Sequence, residues 1–152
     1  MTSKDRVLDR EKEQGRTVGH AQAKELQTRA PEMTGTQLIA EEGKVPAWDP
    51  GKDYSAWAAG YPVADEGQVW TLLQPHNAAN YPGRPSTLRA LWGLAHTTDP
   101  AMAKPFVPPY GTGGMYMAGE CCTENGGTYR STQDNNAYSP SAYPAGWEIV
   151  TE

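Results

Sequence analysis

The sequence predicts a mainly β protein: two small three-stranded units, each written once in the chain, behind an N-terminal helical or extended arm. Three observations carry this expectation. First, the chain repeats itself at an offset of 59 residues, so that Ala59-Gly60 falls on Ala118-Gly119 and Trp70 falls on Tyr129 without a gap. Second, 16 Gly and 13 Pro in 152 residues favour turns and short strands over long helices. Third, five Trp and eight Tyr stand beside a single Phe, so aromatic rings must supply most of the buried area.

Residues 1–33 read as an arm. They are rich in charge and carry few large apolar side chains, among them Val7, Leu8, Val18 and Leu26. Helix propensity is adequate over Ser3–Gln14 and Ala21–Ala30, but a lone helix with so little to bury is marginal in water. Two readings stay open, a disordered tail or an arm that orders on a neighbouring subunit. Pro31 ends any preceding helix. Over 34–44 a short helix is expected. Thr34 with Gln37 fits a capping box, Leu38-Ile39-Ala40 follow, and Gly43 reads as the C-cap.

Repeat one is expected over 45–93, beginning at Val45-Pro46-Ala47-Trp48. Its strands are Gly60–Val63 and Gln68–Gln74 across the turn Asp65-Glu66-Gly67, with a closing strand over Leu88–Trp92. A linker is expected over 94–104. Repeat two follows over 105–152, with strands Glu120–Thr123, Thr128–Gln133 and Trp147–Val150. Asn125-Gly126 is a strong hairpin signal, because both positions of such a turn need positive φ. At this register Trp57 pairs with Tyr116, Trp70 with Tyr129 and Trp92 with Trp147. These six shared rings are read as the two miniature cores, with Trp48 packed on the unit or on the short helix.

Charge divides the chain. Residues 1–44 hold eight basic and eight acidic residues, whereas 45–152 hold five and ten and so carry the whole net charge of −5. An acidic repeat region argues against nucleic acid or anionic membranes as partners. No apolar run approaches the roughly 20 residues of a membrane span. The N-terminus shows no signal-peptide core, so release by lysis is the expected route out of a cell. The only cysteines, Cys121 and Cys122, are adjacent. In a strand they point to opposite faces, which favours two free thiols over a strained vicinal bridge.

The repeated order of a Trp, a further Tyr or Trp, Gly-x-x-Val, an acidic-Gly turn, an aromatic and a closing Trp resembles the family 5/12 carbohydrate-binding modules (chitin-binding type 3-like). In repeat one the matching residues are Trp48, Tyr54 or Trp57, Gly60, Val63, Gly67, Trp70, Pro82 and Trp92. In repeat two they are Tyr116, Gly119, Cys122, Gly126, Tyr129, Pro140 and Trp147. Cys122 departs from the usual aliphatic residue, and Val107 stands at the register position of Trp48. Thr34–Trp48 and the tract from Tyr110 through Trp147 are also similar to short tandem proteins of tailed phages and prophages. The resemblance implies two three-stranded β units in a virion-associated decoration or fibre-type protein. It implies no catalysis, no cofactor and no metal.

Aromatics outside the repeat pattern are the better binding candidates: Tyr61, Tyr81, Tyr110, Tyr138 and Tyr143, with His76 beside them. Gln74-Pro75-His76-Asn77 and Gln133-Asp134-Asn135-Asn136 occupy one repeat position and read as Asx turns rather than ligands. Glu120 and Glu124 read as solvated carboxylates rather than a glycosidase pair. His20, His76 and His96 fall in different regions and suggest no triad. Gly111-Thr112-Gly113-Gly114 lacks the lysine of a phosphate loop.

The expected partners are other virion proteins, held through residues 1–33, further copies of the chain in a trimer, and surface polysaccharide. Three functions remain in view: a glycan-binding virion module, an architectural virion spacer, and an accessory module of a secreted glycan-degrading system. Deletion of residues 1–33 is expected to leave the fold intact and to abolish incorporation into particles.

Overall fold

The computed structural model describes residue 26 and residues 28–111 and 113–151. The protein is mainly β, with two sheets. In the first, β1 (Pro62–Asp65), β2 (Gln68–Leu72) and β3 (Trp92–Leu94) lie antiparallel in sequence order. In the second, β4 (Lys104–Pro105), β5 (Cys121–Glu124), β6 (Gly127–Ser131) and β7 (Trp147–Ile149) lie in sequence order, β4 parallel to β5 and the rest antiparallel.

The two hairpins share one register. Val63 faces Trp70 and Asp65 faces Gln68 in the first, and Cys122 faces Tyr129 and Glu124 faces Gly127 in the second. Each pair is related to its counterpart by the 59-residue offset. Both turns have two residues at positive φ, Glu66-Gly67 at 53° and 75° and Asn125-Gly126 at 51° and 82°. That geometry follows the right-handed twist of the flanking strands. Glu66 adopts it without the local side-chain advantage that Asn has. Closing strands dock alike, Leu72 facing Trp92 and Ser131 facing Trp147, with a shorter intervening loop in the second unit.

Several boundaries differ from expectation. The first strand of each hairpin starts later than expected, at Pro62 and Cys121, and the second ends at Leu72 and Ser131, where each chain turns away. Strand β3 begins at Trp92 rather than ending there, because Leu88–Leu91 close turns of their own, Leu91 N–H bonding Leu88 O at 2.9 Å. The second sheet gains a fourth strand at β4. In the first unit the same feature is a single parallel bridge, Ala47 to Ala64.

The expected linker 94–104 is part of both sheets. Ala95 N–H bonds Val69 O at 2.9 Å, and Cys121 N–H bonds Thr97 O at 2.7 Å. Ala95, His96 and Thr97 are buried. A run that donates and accepts across two sheets is a seam, and its buried backbone groups require those partners.

Helix α1 (Gly35–Ala40) carries the expected capping box, with Thr34 Oγ1 accepting the Gln37 N–H and Gln37 Oε1 accepting the Thr34 N–H. The C-cap is Glu41, not Gly43. Glu41 N–H bonds Leu38 O at 3.1 Å, tightening the last turn, and Gly43 sits inside the 3-10 turn Glu42–Lys44 without a positive φ.

One layer of helix covers one sheet. Leu26, Ala30, Leu38, Ile39 and Val45 pack on Val69 and Ala95, with Met33 against them. Val69 and Ala64 become Thr128 and Thr123 in the second unit, and the exposed face there carries the Arg130–Glu148 ion pair at 3.1 Å. Strand faces alternate, so these polar substitutions fall on the face that takes α1 in the first unit, and in the second unit the 3-10 turn Pro100–Met102 packs on β6 instead.

Of the expected arm, residues 1–25 and 27 lie outside the described residues. The part that is described belongs to the core. Leu26 and Ala30 are buried, and Arg29 pairs with Glu41 at 3.1 Å. Deletion of 1–33 therefore removes side chains from the fold, contrary to the expectation of a separable anchor. Leu26→Ala is expected to cost about 2–5 kcal/mol, and the 1–33 deletion at least as much. Thermal unfolding followed by circular dichroism checks both, and an unchanged midpoint would contradict this packing.

Candidate binding surface

Each unit is built around a tyrosine set edge-on to its closing tryptophan. Tyr54 meets Trp92 at 5.1 Å between ring centroids and 88° between planes. Tyr116 meets Trp147 at 5.3 Å and 66°. Both hydroxyls accept a backbone N–H from the entry of their unit, Asp49 to Tyr54 at 3.0 Å and Val107 to Tyr116 at 3.3 Å. The counterpart of Tyr116 is thus Tyr54, not Trp57. The gapless register fails before Gly60 because the first unit carries three extra residues there, Tyr54 to Gly60 against Tyr116 to Gly119. Likewise Phe106, not Val107, takes the place of Trp48. Phe106 N–H bonds Thr123 O as Trp48 N–H bonds Ala64 O, and Phe106 packs on Tyr116 and Trp147.

These equivalences redistribute the expected roles. Trp70, Trp92, Tyr116 and Trp147 are buried core residues. Trp57 and Tyr129 are only partly covered, each packed against the cluster of its unit. Trp57 has no aromatic counterpart in the second unit, so it is not a repeated core ring.

Two of the six binding candidates are buried. Tyr61 is 2% exposed, edge-on to Tyr54 at 5.7 Å and tilted on Trp57 at 4.7 Å. Strand alternation around β1 directs it inward with Val63. His76 is 6% exposed. Its Nδ1 bonds Gln74 O at 2.8 Å, and its ring lies edge-on to Trp92 at 5.4 Å. The loop that holds it is tied down by Tyr54 N–H to His76 O at 2.8 Å.

Four candidates remain at the surface. Tyr138 is 61% exposed and meets Tyr143, 37% exposed, edge-on at 6.0 Å. The Trp147 Nε1–H donates to the backbone Tyr138 O at 2.9 Å, so the core tryptophan pins the main chain that carries Tyr138. Tyr81 stands on the other unit with its ring edge-on to His76 at 5.7 Å. Tyr110 is exposed on the loop that closes back at Gly113. Of these four only Tyr138 and Tyr143 meet each other, while Tyr81 meets the buried His76.

Asn77 and Asn136 make the expected Asx contacts two residues on, Asn136 Oδ1 accepting the Tyr138 N–H at 3.4 Å, whereas Asp134 reaches across to the strand entry. Asn77 Oδ1 accepts the Ala79 N–H, and Asp134 Oδ1 accepts the Ala118 N–H. Asn136 is fully buried, its amide donating to Ser131 Oγ and Gly146 O. Glu124 accepts the Ser141 N–H. Glu120 is more than a solvated carboxylate: it accepts the Met117 N–H at 2.7 Å and faces His96 Nδ1 at 3.2 Å. His96 in turn stacks on Tyr116 at 3.7 Å and 11°. His96 and Glu120 lie 24 positions apart, so no local spacing signals the pair.

A cavity of about 310 Å3 opens between α1 and the seam, lined by Met33, Leu38, Leu94, His96, Met115 and Glu120. Among the described residues there is no cluster of His, Cys, Asp and Glu with metal-binding geometry. None of the helices among the described residues is long and apolar enough to cross a membrane.

No protein-family model matches this chain, and no curated protein matches it.

Both cysteines are buried free thiols, Cys122 inside the second aromatic core. Burial pushes the Cys122 thiol from 9.0 up to about 12 and the Tyr54 hydroxyl from 10.0 up to about 12, and it raises Tyr116 as well. A group whose folded pKa is raised stabilises the fold fully below its unfolded pKa and loses that contribution as pH climbs toward the folded value. Stability measured by urea unfolding is therefore expected to hold to about pH 9 and to fall steadily toward pH 12. A flat profile across that window would contradict the burial of these groups.

Proposed function

We propose that this chain is a non-enzymatic structural protein of a tailed-phage virion, a decoration or fibre-type module whose outward face binds surface glycans. The observation that carries the reading is the Tyr138–Tyr143 pair. Two exposed rings meet edge-on at 6.0 Å, and the core Trp147 pins the Tyr138 backbone beneath them, which lowers the ordering cost of that loop on binding. The apolar face of a pyranose stacks on one such ring, and the Ser139 and Ser141 hydroxyls, 3.3 Å apart, stand on the same loop. The resemblance of the two β units to carbohydrate-binding modules supports the same ligand class. Attachment to the particle is assigned to the N-terminal region. Assembly as a trimer would multiply weak single-site contacts.

A second reading, a purely architectural virion spacer, draws on a different observation. Ile149 is 68% exposed on β7, one of the two edge strands of the second sheet. An exposed apolar side chain on an open sheet edge suits pairing with another copy.

A glycan array separates the two. Under the glycan-binding reading the protein binds a subset of surface polysaccharides, and Tyr138→Ala or Tyr143→Ala weakens that binding by about tenfold with the thermal midpoint unchanged. Silence across the array would favour the spacer.

A further inference from the structure

The first unit carries a cation held in an unusual way. Seven lysines and arginines lie among the described residues. Arg29, Lys44, Arg84, Lys104 and Arg130 each face a carboxylate. Arg89 instead lies over the Trp70 ring at 5.3 Å and donates to Pro108 O at 2.9 Å, clasping the two units together. Lys52 has no carboxylate partner among the described residues. Its ammonium donates to the Tyr61 hydroxyl at 3.0 Å and stands 5.3–5.7 Å from the ring centroids of Tyr54, Trp57 and Tyr61.

The acidic neighbours that would ordinarily neutralise Lys52 are engaged elsewhere. Asp49 Oδ1 accepts the Gly51 N–H at 2.8 Å. Asp53 Oδ1 accepts the Ser55 N–H at 2.9 Å, and the further hydrogen bond from the Ser55 side chain holds the Asp53 carboxyl below its usual range. Both carboxylates are turned into their own loops. Three aromatic rings fix the ammonium in place, one of its three N–H donors is used, and two remain. Beside it Trp57 is partly open to solvent.

We infer that Lys52 and Trp57, with the Tyr61 hydroxyl behind them, form a subsite for a sugar ring that bears a single carboxylate. The ring stacks on Trp57 and the carboxylate pairs with Lys52. This rests on the glycan-binding reading above and narrows its ligand to an acidic sugar. A single carboxylate is specified because the chain's net charge of −5 repels polyanions.

The test titrates the full-length protein with a trisaccharide that ends in glucuronate, and with the same trisaccharide reduced at that carboxyl to glucose, by calorimetry. The acidic sugar is expected to bind about tenfold more tightly, as a charge-assisted hydrogen bond implies, and to weaken with added salt. Lys52→Met should erase that preference, Lys52→Arg should keep most of it, and Trp57→Ala should weaken both sugars. Thermal melts confirm that each variant is folded. Equal affinity for the two sugars, or an unchanged preference in Lys52→Met, would overturn the subsite. If neutral polysaccharides bind through Tyr138 while the acidic sugar is ignored, the subsite alone falls. If no carbohydrate binds, the broader reading falls with it.

Discussion

The architecture depends on one aromatic crossing, made twice. A tyrosine enters each unit, sets its ring edge-on to the closing tryptophan and accepts a backbone N–H through its hydroxyl. Units of this size have few aliphatic side chains to bury. A large aromatic removes roughly 150–250 Å2 from water, on the order of 4–6 kcal/mol of transfer free energy. Edge-to-face contact adds a directional term that greasy packing lacks. The hydroxyl contact ties each tyrosine to the entry segment of its unit while its ring meets the closing tryptophan, so one side chain links the two ends of the unit around the hairpin. The loop that carries Tyr138 is positioned by that frame, the Tyr138 carbonyl being held by Trp147.

The second organising fact is asymmetry between the copies. Helix α1 and the segment before it cover the first sheet because Val69, Ala64 and Ala95 offer an apolar face. The second sheet offers threonines and an ion pair on the corresponding face, and the short 3-10 turn Pro100–Met102 packs there in place of a helix. The seam between the units is polar and ringed by aromatics: Gln68 bonds Pro105 O, His96 stacks on Tyr116, and Arg89 lies on Trp70. The repeats are therefore joined into one body by Gln68, Arg89 and His96, polar side chains that reach from the first unit and its seam onto the second unit or onto a repeated ring.

Much of this was legible in the residues. The offset of 59 is reproduced by hairpin register, turn φ values and strand pairing alike, because two-residue turns leave no freedom to slip. Thr34 and Gln37 announced the helix start. What could not be read was how far the gapless register extends. Before Gly60 the chain runs through a loop, where insertions cost little, and a Trp facing a Tyr in alignment looks the same whether or not the two are equivalent. That single ambiguity assigned Trp57 to the core and left Tyr54 out. Tyr61 and His76 were misplaced for a related reason: a ring flanking a strand can turn in or out, and the side is set by partners distant in sequence. Lys52 was invisible because its meaning lies in what Asp49 and Asp53 do with their carboxylates.

The equivalence of Tyr54 and Tyr116 is the claim on which the paired-unit account rests, and removing single hydroxyls tests it most directly. Denaturant unfolding of Tyr54→Phe, Tyr116→Phe and Trp57→Phe compares three nearly isosteric or ring-preserving changes. The account predicts that the two tyrosine variants each lose about 1–2 kcal/mol, the effect of a backbone N–H left without its acceptor, while Trp57→Phe loses clearly less. A neutral Tyr54→Phe, with Trp57→Phe as damaging as Tyr116→Phe, would contradict it.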